Sequence, residues 1–192
     1  MRYVGVIYDT AQGMDTLVSE LSMLSKLSLD KVPFYFEKIK AKDFFEEYTA
    51  YVADTLGEAG IEFIYNFECD EDRKINIDPA QFRRVLNNLI DNSRKYGAED
   101  GTAKIMLSVR NGENGHTEIS IEDNGQGVPA DERDKIFETF YRGDKARTGH
   151  KNGSGLGLAI TKQITDRHGA SIRADESELG GLKVIIDLPQ AK

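Results

Sequence analysis

The chain has 192 residues, 39% of them hydrophobic and 30% charged: enough core formers for one substantial domain plus an appended element, and too many for a disordered or low-complexity chain. No run approaches the roughly 18 apolar residues that a membrane-spanning helix needs, and Met1-Arg2-Tyr3-Val4-Gly5 leads into polar residues too soon for a secretory signal. A net charge of −8 disfavours non-specific binding to nucleic acid or to an anionic membrane, and the lone Cys69 excludes an internal disulfide framework and a cysteine-based zinc site, which points to a reducing, cytoplasmic setting.

Residues 3–27 predict one amphipathic helix. Ile7, Met14 and Leu21 recur at heptad spacing, Leu17 and Leu24 fall on the same stripe, and Ala11 and Val18 widen it. This is the seam of a bundle helix, although Gly5 and Gly13 each cost about 1 kcal/mol against Ala in a helix interior. No helix of comparable length follows, so the expected partner for the seam is another segment or chain. Lys31-Val32-Pro33 breaks the pattern, and the alternation over Phe34–Ile39 predicts a first strand. Phe44, Tyr48, Val52 and Leu56 return to helical spacing, ended by Gly57 and Gly60. Ile61, Phe63, Tyr65 and Phe67 alternate as a second strand. A polar turn at Asp70–Arg73 leads to a short strand, Lys74–Ile77.

Asp78-Pro79 is a helix start: the aspartate can cap free N–H groups, and proline at the first position loses nothing. The helix buries Phe82, Val85, Leu86, Leu89 and Ile90 and stops near Gly97. Strands 103–110 and 117–123 follow, joined by a turn at Asn111–Gly115. After them come a Gly-rich segment with a short helix near 131–138, a helix from about 155 to 168 ended by Gly169, and strands 170–176 and 182–188 joined at Gly180-Gly181. Strands paired by short turns, with few helical crossovers, predict an α+β sandwich: a mixed, mostly antiparallel sheet with helices on one face, preceded by one long helix.

Three elements carry chemistry. Asn88, Asn92 and Lys95 share one face of the helix after Asp78. Asparagine oxygens can ligate Mg²⁺, and a lysine one turn on can meet phosphate oxygens; a solvated helix face would read the same way. Asp123-Asn124-Gly125-Gln126-Gly127 follows an apolar strand and places a carboxylate acceptor beside a backbone that a ligand can approach closely. An exocyclic amino group, such as that of adenine, suits that acceptor, and an ordinary loop is the alternative. Gly153-Ser154-Gly155-Leu156-Gly157-Leu158 opens a helix and offers N–H groups and a helix dipole to an anion. Its pattern is neither a P-loop nor a Rossmann fingerprint. Between the last two elements, Arg142, Lys145, Arg147 and Lys151 gather positive charge on a segment suited to a lid over phosphates.

Their order and spacing resemble a known family. Asn88–Tyr96 resembles the N box of sensor histidine kinases, Asp123–Gly127 their G1 box, Phe137–Arg142 their F box and Gly153–Leu158 their G2 box. Residues 3–27 resemble the second helix of the dimerisation and histidine-phosphotransfer hairpin, and residues 33–189 the ATP-binding catalytic domain of the Bergerat (GHKL) fold. The division that follows is 1–30 and 31–192. The resemblance implies ATP and Mg²⁺ as cofactors, a homodimer through the N-terminal helix, and a response regulator as phosphoryl acceptor downstream. It implies that Asn92 ligates Mg²⁺, that Asn88 supports the phosphates or the metal shell, and that Lys95 and Arg142 contact phosphates. Tyr96 would lie against the nucleotide and Asp123 would accept from the adenine amino group. Gly125, Gly127, Gly153, Gly155 and Gly157 would give backbone room, and N–H groups near Leu156 and Leu158 would meet phosphate. Val128, Ile136, Phe140 and Ser154 complete the implied nucleotide site.

Two departures stand out. The last glycine box reads Gly181-Leu182 where the family usually has Gly-Thr, so a hydroxyl that would support adenine binding is missing. The family's phosphoacceptor, a His followed by Glu or Asp on the first hairpin helix, has no counterpart: His116, His150 and His168 are followed by Thr117, Lys151 and Gly169. The acceptor is therefore expected on a helix upstream of Met1. Two other functions compete, a water-activating GHKL ATPase and a nucleotide-sensing interaction module. The ATPases carry a Glu four residues before the metal-binding Asn; here that position is Asn88, an amide that cannot act as a base.

Overall fold

The computed structural model describes residues 2–98, 101–143 and 153–191, with side chains from Ala11 onward. Its elements in chain order are α1 (Arg2–Ser28), β1 (Glu37–Lys40), α2 (Ala41–Glu58), β2 (Glu62–Glu68), β3 (Lys74–Ile77), α3 (Pro79–Tyr96), β4 (Lys104–Asn111), β5 (Thr117–Asp123), α4 (Gly157–Arg167), β6 (Ser171–Glu176) and β7 (Leu182–Leu188). Five strands form one sheet in the order β2-β4-β5-β7-β6, parallel between β2 and β4 and antiparallel elsewhere. The period-two alternation of strands selects one face: Ile105, Leu107 and Val109 of β4, Ile119 and Ile121 of β5, and Val184, Ile186 and Leu188 of β7 join the core with residues of α2, α3 and α4. The other face carries ion pairs such as Arg173–Glu118, 3.2 Å apart.

α3 forms as its sequence dictates. Asp78 Oδ1 accepts from the Gln81 N–H at 2.9 Å, proline follows the cap, and Phe82, Val85, Leu86, Leu89 and Ile90 are buried. The second carboxylate oxygen of Asp78 accepts from the Tyr35 N–H at 2.7 Å. That bond, with Phe34 and Phe36 packed edge-on to the His168 ring, explains why the first strand is short. Residues 34–36 are held by side chains, and only Glu37–Lys40 pairs, with β3, as a separate ribbon.

Two further expectations are corrected. The helix near 131–138 is two 3₁₀ turns, Ala130–Glu132 and Lys135–Phe137. The stretch has only Ile136 and Phe137 to bury, and Arg133 is drawn away to the Val128 carbonyl and to Asp175. Leu24 does not belong to a free stripe on α1. It is buried with Leu27 against the rest of the core, while Met14, Leu17, Val18 and Leu21 stay exposed. The end of α1 is fastened to α4 by hydrogen bonding between Ser28 and Gln163 and by the Arg167–Asp30 pair. The Ile7 side chain lies outside the described residues.

His168 links the ends of α3 and α4. Its Nδ1 donates to the Ile164 carbonyl at 2.8 Å, so Nε2 is the acceptor of the Asp78 N–H at 3.0 Å. Burial holds its pKa below the ordinary imidazole value. The unfolded chain takes up that proton near pH 6.5 and the folded chain only at lower pH. Stability is therefore full above about pH 6.5 and declines as the pH falls below it. The melting temperature should drop between pH 7 and pH 5, and His168→Gln should flatten that slope while lowering the plateau. An unchanged slope in the variant would remove His168 as the cause.

Candidate functional site

A cavity of about 430 Å³ opens between α3, the loop after β5, the glycine-rich entry to α4 and the start of β7. The apolar face of α3 is committed to the core, so its opposite stripe faces the cavity: Asn88, Asp91, Asn92, Lys95 and Tyr96 all line it. Asn88 Nδ2 donates to the Gly157 carbonyl at 3.2 Å and to Thr161 Oγ1 at 3.4 Å. This ties α3 to α4 and leaves the carbonyl oxygen of Asn88 as its atom for a ligand or cation.

Asp123 ends β5 and is 2% exposed. Its Oδ1 accepts from the Gly125 N–H at 2.9 Å and the Leu182 N–H at 3.1 Å. Its main-chain oxygen accepts from the Gly181 N–H at 3.1 Å, and the Ser93 hydroxyl bonds its carboxylate. Burial raises the Asp123 pKa above the usual carboxylate value, and these hydrogen bonds counter part of that shift. Two glycines are required by close approach. A Cβ on Gly125 would stand 2.0 Å from the Tyr96 carbonyl oxygen, and one on Gly181 would stand 2.3 Å from Asp123 Oδ1.

Val128, Ile136, Leu158 and Leu182 give the cavity apolar wall, and Arg142, Gly127, Gly153, Ser154, Gly155 and Gly157 also line it. An isolated acceptor beside apolar wall suits the donor edge of a flat heterocycle. The amide oxygens, Lys95 and Arg142 suit phosphates and a hard cation.

Three residues expected at the site are not in the cavity wall. Gly125 lies behind it, against Tyr96. Phe140 is 60% exposed and its N–H is used by the Gly155 carbonyl. Leu156 is buried in the core, and its N–H donates to Ser154 Oγ at 3.0 Å, so that amide is occupied within the loop. Helix α4 begins at Gly157, later than the expected 155, because Gly155 takes a φ of +70°. The cavity also holds residues not expected there from the sequence: Thr16 and Glu20 of α1, Asp91, Gln126, Pro129, Glu132, Tyr141 and Gly143; Leu182, marked only as a departure from the family pattern, lines it too. Asp91 and Gln126 lie inside motifs already marked, so their positions were readable. Thr16 and Glu20 arrive through packing of α1 on α4, which no local pattern announces. Lys145, Arg147, His150 and Lys151, in the later part of the expected lid, lie outside the described residues. His116 Nδ1 is 2.7 Å from Asp187 Oδ2, and neither it nor His168 lines the cavity.

The sheet order, the one-sided helices and the buried carboxylate at the end of β5 define an ATP-binding domain of the Bergerat type. Residues 77–192 match the family of histidine kinase-, DNA gyrase B- and HSP90-like ATPases, and the chain belongs to that family. It is 36% identical over 188 residues to the sensor histidine kinase WalK of Bacillus subtilis, covering 98% of this chain and 30% of that protein. The mycobacterial sensor histidine kinase MprB superposes with a TM-score of 0.65 at 27% identity, over 81% of this chain and 98% of that one. The full-length ShkA structure, solved with AMPPNP, superposes with a TM-score of 0.79 at 22% identity, over all of this chain and 39% of that one. The chain thus spans less than a third of the WalK length.

Gly181→Ala should leave the core folded, by circular dichroism, yet weaken nucleotide binding by about tenfold or more, because the turn must withdraw from Asp123. Unchanged affinity would show that the turn does not shape the cavity.

Proposed function

We propose that this chain is the ATP-binding catalytic part of a two-component sensor histidine kinase. It would move the γ-phosphoryl group of Mg–ATP to a histidine on a dimerisation helix outside this sequence, for relay to a response regulator. The observation that carries the reading is the convergence of the Asn88–Tyr96 stripe with Asp123 in one cavity, within a chain 36% identical to a sensor histidine kinase.

Each cavity residue then has a task. Asp123 accepts from the amino group of adenine. Tyr96 lies against the nucleotide, with Val128, Ile136 and Leu158 walling the base. The amide oxygens of Asn92 and Asn88 fit a hard cation, while Lys95 and Arg142 meet phosphate charge. Magnesium bound with the triphosphate would supply further charge neutralisation at the phosphates. Catalysis rests on positioning, since the acceptor imidazole is itself the nucleophile. Asn88 stands where the water-activating relatives carry Glu, and its amide supplies no base. Residues 1–30 supply only the second helix of the dimerisation hairpin, which would dimerise through exposed Met14, Leu17, Val18 and Leu21. Residues 31–192 form the catalytic domain. Among the described residues no helix is long and apolar enough to cross a membrane, in keeping with a cytoplasmic part of a sensor.

With γ-labelled Mg–ATP, the chain should bind nucleotide, release phosphate at the background rate and carry no acid-labile label on His116, His150 or His168. Steady hydrolysis would place it with the water-activating ATPases, and label on any of the three histidines would overturn the external acceptor.

Asp123→Asn should weaken ATP binding by roughly tenfold or more while changing stability by less than about 1 kcal/mol. The amide oxygen can still accept from Gly125 and Leu182, but an NH₂ now meets the adenine amino group. The parent should prefer ATP to GTP, and the variant should lose that preference. Equal affinity of the parent for both would remove Asp123 from base recognition.

A further inference from the structure

Asp123 is held from two sides of the sheet. Its neighbour on β5, Glu122, points to the opposite face and is fully buried. Glu122 lies directly across from Lys183 of β7, whose Nζ is 2.9 Å from Oε1. The other carboxylate oxygen accepts from the Ser177 hydroxyl at 3.2 Å and the Glu178 N–H at 3.3 Å. Ser177 Oγ in turn accepts from the Leu179 N–H at 3.0 Å, and the turn closes on itself through Ser177 N–H to the Gly181 carbonyl and Gly180 N–H to the Ser177 carbonyl. The far end of this turn delivers the Gly181 and Leu182 N–H groups to Asp123.

We propose that Glu122, paired with Lys183, is a positioning residue for nucleobase recognition: it clamps the Ser177–Gly181 turn so that the Leu182 N–H fixes the Asp123 carboxylate toward the base. The inference rests on the reading of Asp123 as the acceptor for the adenine amino group. Glu122 does not line the cavity, so it acts only through the turn. A buried ion pair gains little net stability over a well-packed apolar pair. What this one supplies is geometry, since a single carboxylate ties β5, β7 and the turn together. Without its charge, Lys183 loses its partner, the turn loses its anchor, and the Asp123 carboxylate loses the fixed Leu182 N–H and keeps only its contacts with Gly125 and Ser93 to orient it.

The test is displacement of a fluorescent ATP analogue from the full 192-residue chain by ATP and by purine riboside triphosphate, which lacks the amino group. The variants are Glu122→Gln and Ser177→Ala. In the parent, ATP should bind about tenfold more tightly than the analogue. In the variants that ratio should fall toward one through weaker ATP binding, with the analogue's affinity changed by less than about twofold. Circular dichroism identifies any variant that fails to fold. If Glu122→Gln does, Ser177→Ala decides, because it removes one hydroxyl and leaves the ion pair intact. Variants that melt earlier yet keep the parent's ratio would show a purely structural role and overturn the proposal. A parent without preference for the amino group would overturn the Asp123 reading beneath it.

Discussion

A carboxylate buried beneath a cavity is costly unless its oxygens are hydrogen-bonded. At Asp123 the carboxylate draws on Gly125 in the loop just after β5 and on two distant parts of the chain, Ser93 from α3 and Leu182 from the β6–β7 turn, while Gly181 of the same turn bonds the Asp123 main-chain oxygen. Meeting that requirement sets the local shape. The β6–β7 turn must approach so closely that Gly181 has no room for a side chain, and the last turn of α3 must press on Gly125. The result is an acceptor already aimed before any ligand arrives, with its alignment prepaid by folding.

α3 performs the matching operation for the rest of the cavity. One face is packed into the core and the other is presented, so the amide and lysine side chains are fixed in register by the burial of Phe82, Val85, Leu86, Leu89 and Ile90. The helix is also pinned at its start. Asp78 caps it, holds the Tyr35 backbone and bonds His168 at the end of α4. Asn88 bridges to Gly157 at the opening of α4. α4 is thus tied to α3 at both of its ends by polar contacts, to the start of α3 through Asp78 and to its middle through Asn88, with apolar packing between them.

What was legible in the sequence follows from the range of the interaction. α3, β3, β5 and β7 are short-range products of capping, alternation and turn residues, and their limits were readable within about two residues. The single-sided core followed from the same alternation. The α3 stripe, Asp123 and most of the glycine-rich positions were marked, because each depends on spacing within one element. The failures are long-range. Phe34 and Phe36 alternate like a strand, but the aromatic cluster around His168 claims them. Leu24 sits on the heptad stripe of α1 but is taken by the core. The exception is local: Leu156 reads as an anion-binding amide, but the Ser154 hydroxyl two residues earlier occupies it. Thr16 and Glu20 reach the cavity only through the docking of α1 on α4.

The departure at Gly181-Leu182 takes a different meaning in three dimensions. From the sequence, leucine in place of threonine means a missing hydroxyl at the base site. In the fold, the group that reaches Asp123 from this position is the backbone N–H, which every residue but proline supplies. The requirement falls on Gly181, where the space is gone, and on the turn that sets the direction of the Leu182 N–H. The side chain at 182 is therefore released from holding the carboxylate. As leucine it extends the apolar wall of the cavity; with Asp123 proposed as the acceptor for adenine, the carboxylate would face the base across a drier surface, where a correctly paired hydrogen bond is stronger and a mismatched one costs more.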